Sequence, residues 1–274
     1  MKKTIIYLSV LVMLLFTACE KVIDINLNES EPRLVVEGAV TLGNGPFFVQ
    51  LSTSGDFFTG NGIEPVSNAG GYITNSLGQT DTLINVGNGL FRTSTLQAVP
   101  NSLYTLHLEY NNQVYTASDS LPRQVFIDSL NYSVSEFGNS GPHGEDEYDT
   151  HYDFHCYFKD DPNRRNYYLL SVNVNGEQVE GRRGKYYLLS DEFANGKHIA
   201  YPFFGVGANT KDTVLISLSA VGKATYDYFR TLNDALSQGG MGSTPYNPIS
   251  NVSNNALGYF GTFTYDSKSV IIGR

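Results

Sequence analysis

The chain has 274 residues and a formal net charge of −9 at pH 7. Setting aside Lys2 and Lys3 reduces the 18 basic residues to 16 against 27 acidic ones, a net charge of −11, which argues against nucleic acid as a partner because its binders present basic surface to phosphate. Abundant Tyr and Phe (19 and 16), with frequent Gly and Asn, predict a β-rich exported protein with Asn/Gly turns.

The N-terminus has the pattern of a bacterial lipoprotein signal. Two lysines precede an apolar stretch at residues 4–16, which is shorter than the about 20 residues that a membrane-spanning helix needs. Two small residues, Thr17 and Ala18, stand directly before Cys19. We therefore expect residues 1–18 to be a signal peptide and Cys19 to be the lipidated first residue of the mature chain. An ordinary secretory peptide is the alternative.

Lipidation of Cys19 implies a membrane partner. A single acyl chain holds a protein only marginally, whereas two or more give stable attachment. A diacylglyceryl thioether and an acylated amine, for instance a palmitoylated one, would provide three chains. We expect this covalent lipid and no bound cofactor, with residues 19–33 as an acidic tether between the lipid and the folded body.

Residues 34–122 are predicted to form an N-terminal β-domain. Apolar and β-branched segments alternate with turn residues, and a long polar loop occupies residues 53–68. The predicted strands span residues 34–40, 47–52, 71–74, 80–86, 90–95, 103–110 and 114–119. Seven short strands with regular turns are typical of a β-sandwich, here one that is prealbumin-like or Ig-like. The step from Leu121 to Pro122 favours an extended linker.

Residues 124–274 are predicted to form a second β-rich domain with one helix. The predicted strands begin near residue 126 and then span 151–158, 166–174, 186–190, 199–204, 213–221, 257–265 and 269–272. Within residues 223–238, one stripe at helical spacing carries Ala224, Tyr228, Phe229, Leu232, Ala235 and Leu236, and two glycines follow. The predicted fold is thus mainly β, with two tandem antiparallel β-sandwiches, and an open lipocalin-like barrel is the alternative for the second.

One strand carries the best metal-ligating pattern. Alternate residues of a strand share a face, so His151, Asp153 and His155 would line one side while Cys156 faces the core. Two imidazoles and a carboxylate can bind Zn²⁺, although an exposed sheet face has the same polar pattern. The turn at residues 160–163 could offer oxygens to Ca²⁺, but it lacks the spaced acids of a calcium loop.

No pattern of a catalytic site stands out. The sequence has no G-x-S-x-G elbow, P-loop, H-E-x-x-H or Rossmann fingerprint, so we do not expect an enzyme. Four aromatic residues in predicted loops or near their ends, Phe57, Phe58, Tyr246 and Tyr259, could stack on a sugar or anchor a partner. The alternative for each of them is a place at the end of the core.

Several stretches resemble a family of Bacteroidota lipoproteins known only as a domain of unknown function (number 4249). They are CEKVIDI at 19–25, LVVEG at 34–38, PVSNA at 65–69, IDSL at 127–130, FKDDP at 158–162, NYY at 166–168 and NNALGYF at 254–260. An acid beside the lipidated cysteine, here Glu20, is a feature of surface-export signals in such lipoproteins. The resemblance covers essentially the whole mature chain and transfers no catalytic residue.

The resemblance implies a function and an address. Genes of such proteins commonly lie beside those of TonB-dependent, SusC-like outer-membrane receptors. We therefore expect a non-catalytic lipoprotein of the outer membrane, exposed at the cell surface, that binds a ligand or partner as accessory to such a transporter. A periplasm-facing position is the alternative address. A structural or adhesive envelope module and a hydrolase of surface polymers are the alternative functions. The oligomeric state is not predicted.

Overall fold

The computed structural model describes residues 32–55, 63–136, 148, 150–179, 186–237 and 246–273. The predicted signal peptide, Cys19, the tether up to residue 31 and the Phe57–Phe58 pair lie outside the described residues. Everything described below belongs to one unit, Pro32–Arg274. Within the described residues, no helix has the length and apolar character needed to cross a membrane.

The described residues are mainly β, as predicted. The strands of the first half are β1 (Leu34–Thr41), β2 (Gly43–Asn44), β3 (Phe48–Thr53), β4 (Glu64–Pro65), β5 (Gly70–Asn75), β6 (Thr80–Thr82), β7 (Ile84–Gly87), β8 (Leu90–Arg92), β9 (Gln97–Ala98), β10 (Leu103–Tyr110) and β11 (Gln113–Ser120). Those of the second half are β12 (Ile127–Val134), β13 (His151–Lys159), β14 (Tyr167–Val174), β15 (Glu177–Gln178), β16 (Tyr187–Ser190), β17 (His198–Gly207), β18 (Thr213–Val221), β19 (Leu257–Phe263) and β20 (Asp266–Ile271). One α-helix, α1 (Lys223–Ser237), follows β18.

The largest sheet of the described residues links strands from both ends of the chain. It has eleven strands, with the main order β15-β14-β18-β19-β1-β3-β8-β7. At its centre β1 pairs with β19 in parallel, so that Glu37 lies beside Tyr259. This pairing was not predicted, because it joins the first strand of the folded body to one near its end. The predicted division near residue 123 stays a prediction.

Two hydrophobic cores lie between sheets. The first core combines β1, β3 and β8 with the four-stranded sheet β11-β10-β5-β6, and Val252, Ala256 and Phe260 from the C-terminal part join it. The second core combines the three-stranded sheet β12-β13-β17 with β14 and β18. Sheets layered over two cores confirm the predicted β-sandwich class. Cys156 is fully buried in the second core, which confirms its predicted place.

The outer edge of β11 is covered by the segment that includes Ser253 and Asn254. The Ser253 N–H donates to the Thr116 carbonyl (2.9 Å), and the Thr116 N–H donates to Ser253 Oγ (2.8 Å). The Asn254 side-chain amide donates to the Val114 carbonyl. A free strand edge invites pairing with other chains, so this segment protects the four-stranded sheet.

Asp119 connects β11, the first turn of α1 and β19. Its carboxylate accepts hydrogen bonds from the Thr225 hydroxyl (2.5 Å), the Thr262 N–H (3.1 Å) and the Thr262 hydroxyl (3.2 Å). The N–H groups of Ser120 (3.0 Å) and Ala224 (3.4 Å) donate to its other oxygen. Burial raises the pKa of Asp119, although these donors oppose the increase. The carboxylate fixes the start of α1 against the sheet.

Helix α1 confirms the predicted segment but not the whole predicted stripe. Phe229 is buried as expected, whereas Leu236 is 61% exposed. The other buried positions are Thr225 and Thr231. Both are hydrogen-bonded, Thr225 to Asp119 and Thr231 to the backbone carbonyl of Asp227. A pattern based on apolar residues alone does not detect such positions.

Candidate functional site

Helix α1 covers only part of the outer face of the large sheet. Tyr228 of the helix stacks on Tyr259 of β19, with ring centroids 4.5 Å apart, and Phe229 meets the same ring edge-on at 5.2 Å. A side chain added at Gly261 would come within 2.4 Å of Thr225 Oγ1, so the helix lies close against β19. The neighbouring part of the face, over β1 and β3, carries a cleft.

This β1–β3 cleft has a volume of about 490 Å³, within the usual range of small-molecule sites. Its lining combines one carboxylate, one amide and two hydroxyls with apolar side chains. The lining residues are Val35, Glu37, Gln50, Ser52, Ser54, Gly55, Ile63 and Pro65. The cleft can therefore hold a ligand with an apolar body and a polar or charged group.

The alternation of β1 and β3 explains the lining. Val36 on β1 and Leu51 on β3 are fully buried and face the first core. Their sequence neighbours must then point to the outer face, because successive strand residues point to opposite sides. The antiparallel register places Glu37 beside Gln50, and Val35 beside Ser52. Strand β4 extends this floor, since its Pro65 pairs with Ser52.

Glu37 is the titratable side chain among the lining residues, and it is exposed. Within the described residues, no cation or hydrogen-bond donor is placed against its carboxylate. The neighbouring amide is engaged elsewhere, because Gln50 Nε2 donates to the Asn88 carbonyl (2.8 Å). Burial, and after it the Glu37 charge, raise the pKa of Tyr259 and of Tyr228. The Glu37 carboxylate is therefore close enough to both tyrosines to affect their ionisation.

The predicted metal ligands lie on the outer face of β13. His151, Asp153 and His155 alternate there at partly buried positions. Asp153 Oδ1 accepts the Gly205 N–H (2.9 Å), and the His155 ring stacks on Tyr157 with centroids 6.3 Å apart. Among the described residues, no three His, Cys, Asp or Glu side chains form a group that could hold a metal ion. The metal site stays a prediction.

The acids considered for Ca²⁺ have other partners in the structure. Asp160 is buried and accepts hydrogen bonds from the Tyr168 hydroxyl and the Gly196 N–H (2.6 Å). Asp161 Oδ1 accepts the N–H (3.0 Å) and the side-chain amide (2.7 Å) of Asn163. The contacts between Asp161 and Asn163 form an ordinary Asx turn. These residues therefore act as a structural turn.

The predicted aromatic contacts are placed unequally. Tyr259 is partly buried beside Glu37, and Tyr246 is 42% exposed. Gly55 and Ile63, the described residues nearest in sequence to the Phe57–Phe58 pair, both line the cleft. Glu37 itself was not among the predicted site residues. The feature of the sequence that could have indicated Glu37 is an acidic residue at an outward-facing position of an otherwise apolar strand.

The fold and the cleft together define a mainly β protein with layered sheets and a candidate ligand site on one outer face. A family model described as "Domain of unknown function (DUF4249)" matches residues 20–269, and the chain belongs to this family. No curated protein matches it. The family, as described, has no established activity.

Three solved structures are similar over much of the chain. A two-domain fibronectin type III segment of chicken tenascin is 12% identical, covering 69% of this chain and 90% of that one, with a TM-score of 0.23. An α-L-rhamnosidase from Dictyoglumus thermophilum is 12% identical, covering 72% of this chain and 28% of that one, with a TM-score of 0.28. CBD12 from CALX1.2 is 10% identical, covering 86% and 100%, with a TM-score of 0.18. At such scores these likenesses carry no argument about function.

Proposed function

We propose that the protein is a non-catalytic outer-membrane lipoprotein, lipid-anchored through Cys19 and exposed at the cell surface. In this proposal it binds a ligand or partner as accessory to a TonB-dependent transporter, and the β1–β3 cleft is its binding site. The lipoprotein signal at residues 1–19 supports the anchor. The resemblance to receptor-associated lipoproteins supports the partner.

The observation that supports the cleft as the binding site is its position beside the first described residues. The Ser54 N–H donates to the Arg33 carbonyl (2.8 Å), and the Arg33 N–H donates to Ser54 Oγ (3.0 Å). Ser54 lines the cleft, so one end of the cleft adjoins the residue where the predicted tether ends. Fourteen residue steps separate Cys19 from Arg33, which limits that end to roughly 50 Å from the lipid. An accessory of a receptor in the same membrane needs its site within such reach.

The chemistry of the lining supports binding rather than catalysis. Hydrolysis by acid–base chemistry commonly uses two cooperating groups, as in the paired carboxylates of glycosidases. Among the described lining residues, Glu37 is the sole titratable side chain. A single exposed carboxylate beside apolar surface suits recognition of a complementary group.

The proposal is tested by affinity purification of the tagged, full-length lipoprotein from detergent-solubilised membranes. A TonB-dependent receptor should co-purify with the wild-type protein and be identified by mass spectrometry. Ile63→Lys, at a cleft residue that is 75% exposed, should reduce its recovery. Leu77→Lys is the matched control, because Leu77 is 63% exposed and lies between β5 and β6.

The two variants separate the site from the partner. Equal recovery of the receptor with both variants would show that the cleft does not contact the receptor and would leave it only the role of a site for a free ligand. Recovery of no TonB-dependent receptor with the wild-type protein would reject the accessory role, and it would favour a structural or adhesive envelope module.

A further inference from the structure

We infer that the β1–β3 cleft binds an organic cation, the guanidinium or ammonium group of an arginine- or lysine-type side chain. This inference rests on the proposed binding role of the cleft and specifies what it recognises. It starts from Glu37, an exposed carboxylate with no cation placed against it within the described residues. The remaining described lining residues carry no charge, so the cleft has one negative centre.

The surroundings of Glu37 favour an organic cation over a hydrated metal ion. Metal ions of the Ca²⁺ or Mg²⁺ type need several oxygen ligands, and no suitable group of acids or histidines exists among the described residues. Val35, Ile63 and Pro65 instead give the cleft apolar surface. The methylene stem of an arginine or lysine can lie on such surface while its charged end reaches the carboxylate.

The side chains next to Glu37 on the α1 side are stacked tyrosines, which carry no positive charge. Tyr259 lies beside Glu37 across the parallel β1–β19 pair, and Tyr228 stacks on Tyr259 at 4.5 Å. No cation on that side therefore competes for the Glu37 carboxylate within the described residues. The charge of the whole chain, −9, favours the approach of a cationic ligand.

Titration calorimetry on the full-length protein in detergent tests this inference. The probe is N-acetyl-arginine-N-methylamide, whose guanidinium is its one charge, and the neutral isostere N-acetyl-citrulline-N-methylamide is the comparison. The wild-type protein should bind the arginine probe and prefer it to the citrulline probe by about fivefold or more. Binding should weaken as salt is added, because the site is open to solvent.

Two variants locate the effect. Glu37→Gln keeps the shape of the side chain and removes its charge, so it should abolish the preference for the cation. Glu109→Gln removes one charge from an exposed acid of β10 and should leave the preference unchanged. Both replaced side chains are exposed, and matching melting temperatures would confirm that each variant folds.

No heat of binding at millimolar probe, equal binding of the citrulline probe, or an unchanged preference in Glu37→Gln would each overturn the inference. If the cation belongs to the receptor, Glu37→Gln also loses the receptor in the affinity purification. If it belongs to a free ligand, the receptor is retained. A missing receptor in the wild-type purification rejects the proposed accessory role and leaves the calorimetric result standing.

Discussion

Replacement of Asp119 by alanine should be among the most destabilising single changes in the described part of the protein. The side chain joins β11, helix α1 and β19, and the two threonines that donate to it are fully buried. Alanine would leave the hydroxyls of Thr225 and Thr262 and three N–H groups without this acceptor. One of these, the Thr262 N–H, can still donate to Thr225 Oγ1 (3.2 Å).

The expected loss follows from these contacts. A buried donor left without an acceptor costs about 1–3 kcal/mol. The variant no longer has to desolvate a buried carboxylate, and this gain offsets part of the loss from the unpaired donors. We expect the free energy of unfolding at pH 7 to fall by about 3 kcal/mol. For a folded body of this size, that corresponds to a melting temperature lower by about 6–12 °C.

Urea unfolding followed by circular dichroism measures this loss. Asp234→Ala is the matched control, because Asp234 is on the exposed side of α1 in a 3.5 Å pair with Arg230. Such exposed pairs contribute little, so the control should stay within about 0.5 kcal/mol of wild type. Asp119→Asn keeps the volume but turns an amide N–H₂ group toward donors, and it should also destabilise. A wild-type stability of either Asp119 variant would refute the role of the carboxylate as the common acceptor.

Three further predictions concern other residues of the fold. Gly258→Ala should lower the free energy of unfolding in urea by about 3 kcal/mol or more, because φ is +81° and the new Cβ would meet the Val36 carbonyl oxygen at 2.0 Å. Gly78→Ala is the control: its φ is +83°, but no atom lies within 4 Å of the new Cβ, so the loss should be about 1 kcal/mol. Burial alone would raise the pKa of Asp81, but hydrogen bonds from the N–H groups of residues 94–96 outweigh it and lower the pKa. The stability advantage of wild type over Asp81→Asn should therefore be complete above pH 3.8 and be lost as the pH falls through the folded-state pKa. An advantage that grows toward low pH would contradict this. Burial raises the pKa of the Cys156 thiol to about 12, so iodoacetamide should label it in urea but not in the native protein at pH 8, and rapid native labelling would show that the thiol is accessible.

Sequence periodicity predicted most of the regular elements. The predicted bounds of β10 and β18 match those observed, and α1 begins at the predicted residue, Lys223. The prediction failed where a strand is interrupted. Residues 80–86 form two strands, β6 and β7, because the buried Leu83 lies between them and its N–H donates to the Gly71 carbonyl. Two-residue strands such as β2 and β9 are too short to produce a periodic pattern.

Long-range pairing was beyond local patterns. The parallel pair of β1 and β19 joins residues more than 200 positions apart, and nothing in either segment specifies its partner. The candidate site depends on this pairing, because it brings Tyr259 beside Glu37. Tyr259 was therefore predicted as a contact residue without its charged neighbour. His151, Asp153 and His155 were predicted to share a face, and the sheet places them so, but periodicity alone does not specify the distances between their ligand atoms.

Lipidation at Cys19 is the claim on which the proposed address and partner depend, and metabolic labelling with a fatty-acid analogue tests it most directly. The wild-type protein should take up label, and so should Cys156→Ala, which removes the one other cysteine in the sequence. Cys19→Ser should take up none and should remain an uncleaved precursor, because the thiol accepts the lipid and cleavage follows lipidation. Absence of label in the wild-type protein, or label that persists in Cys19→Ser, would contradict the account.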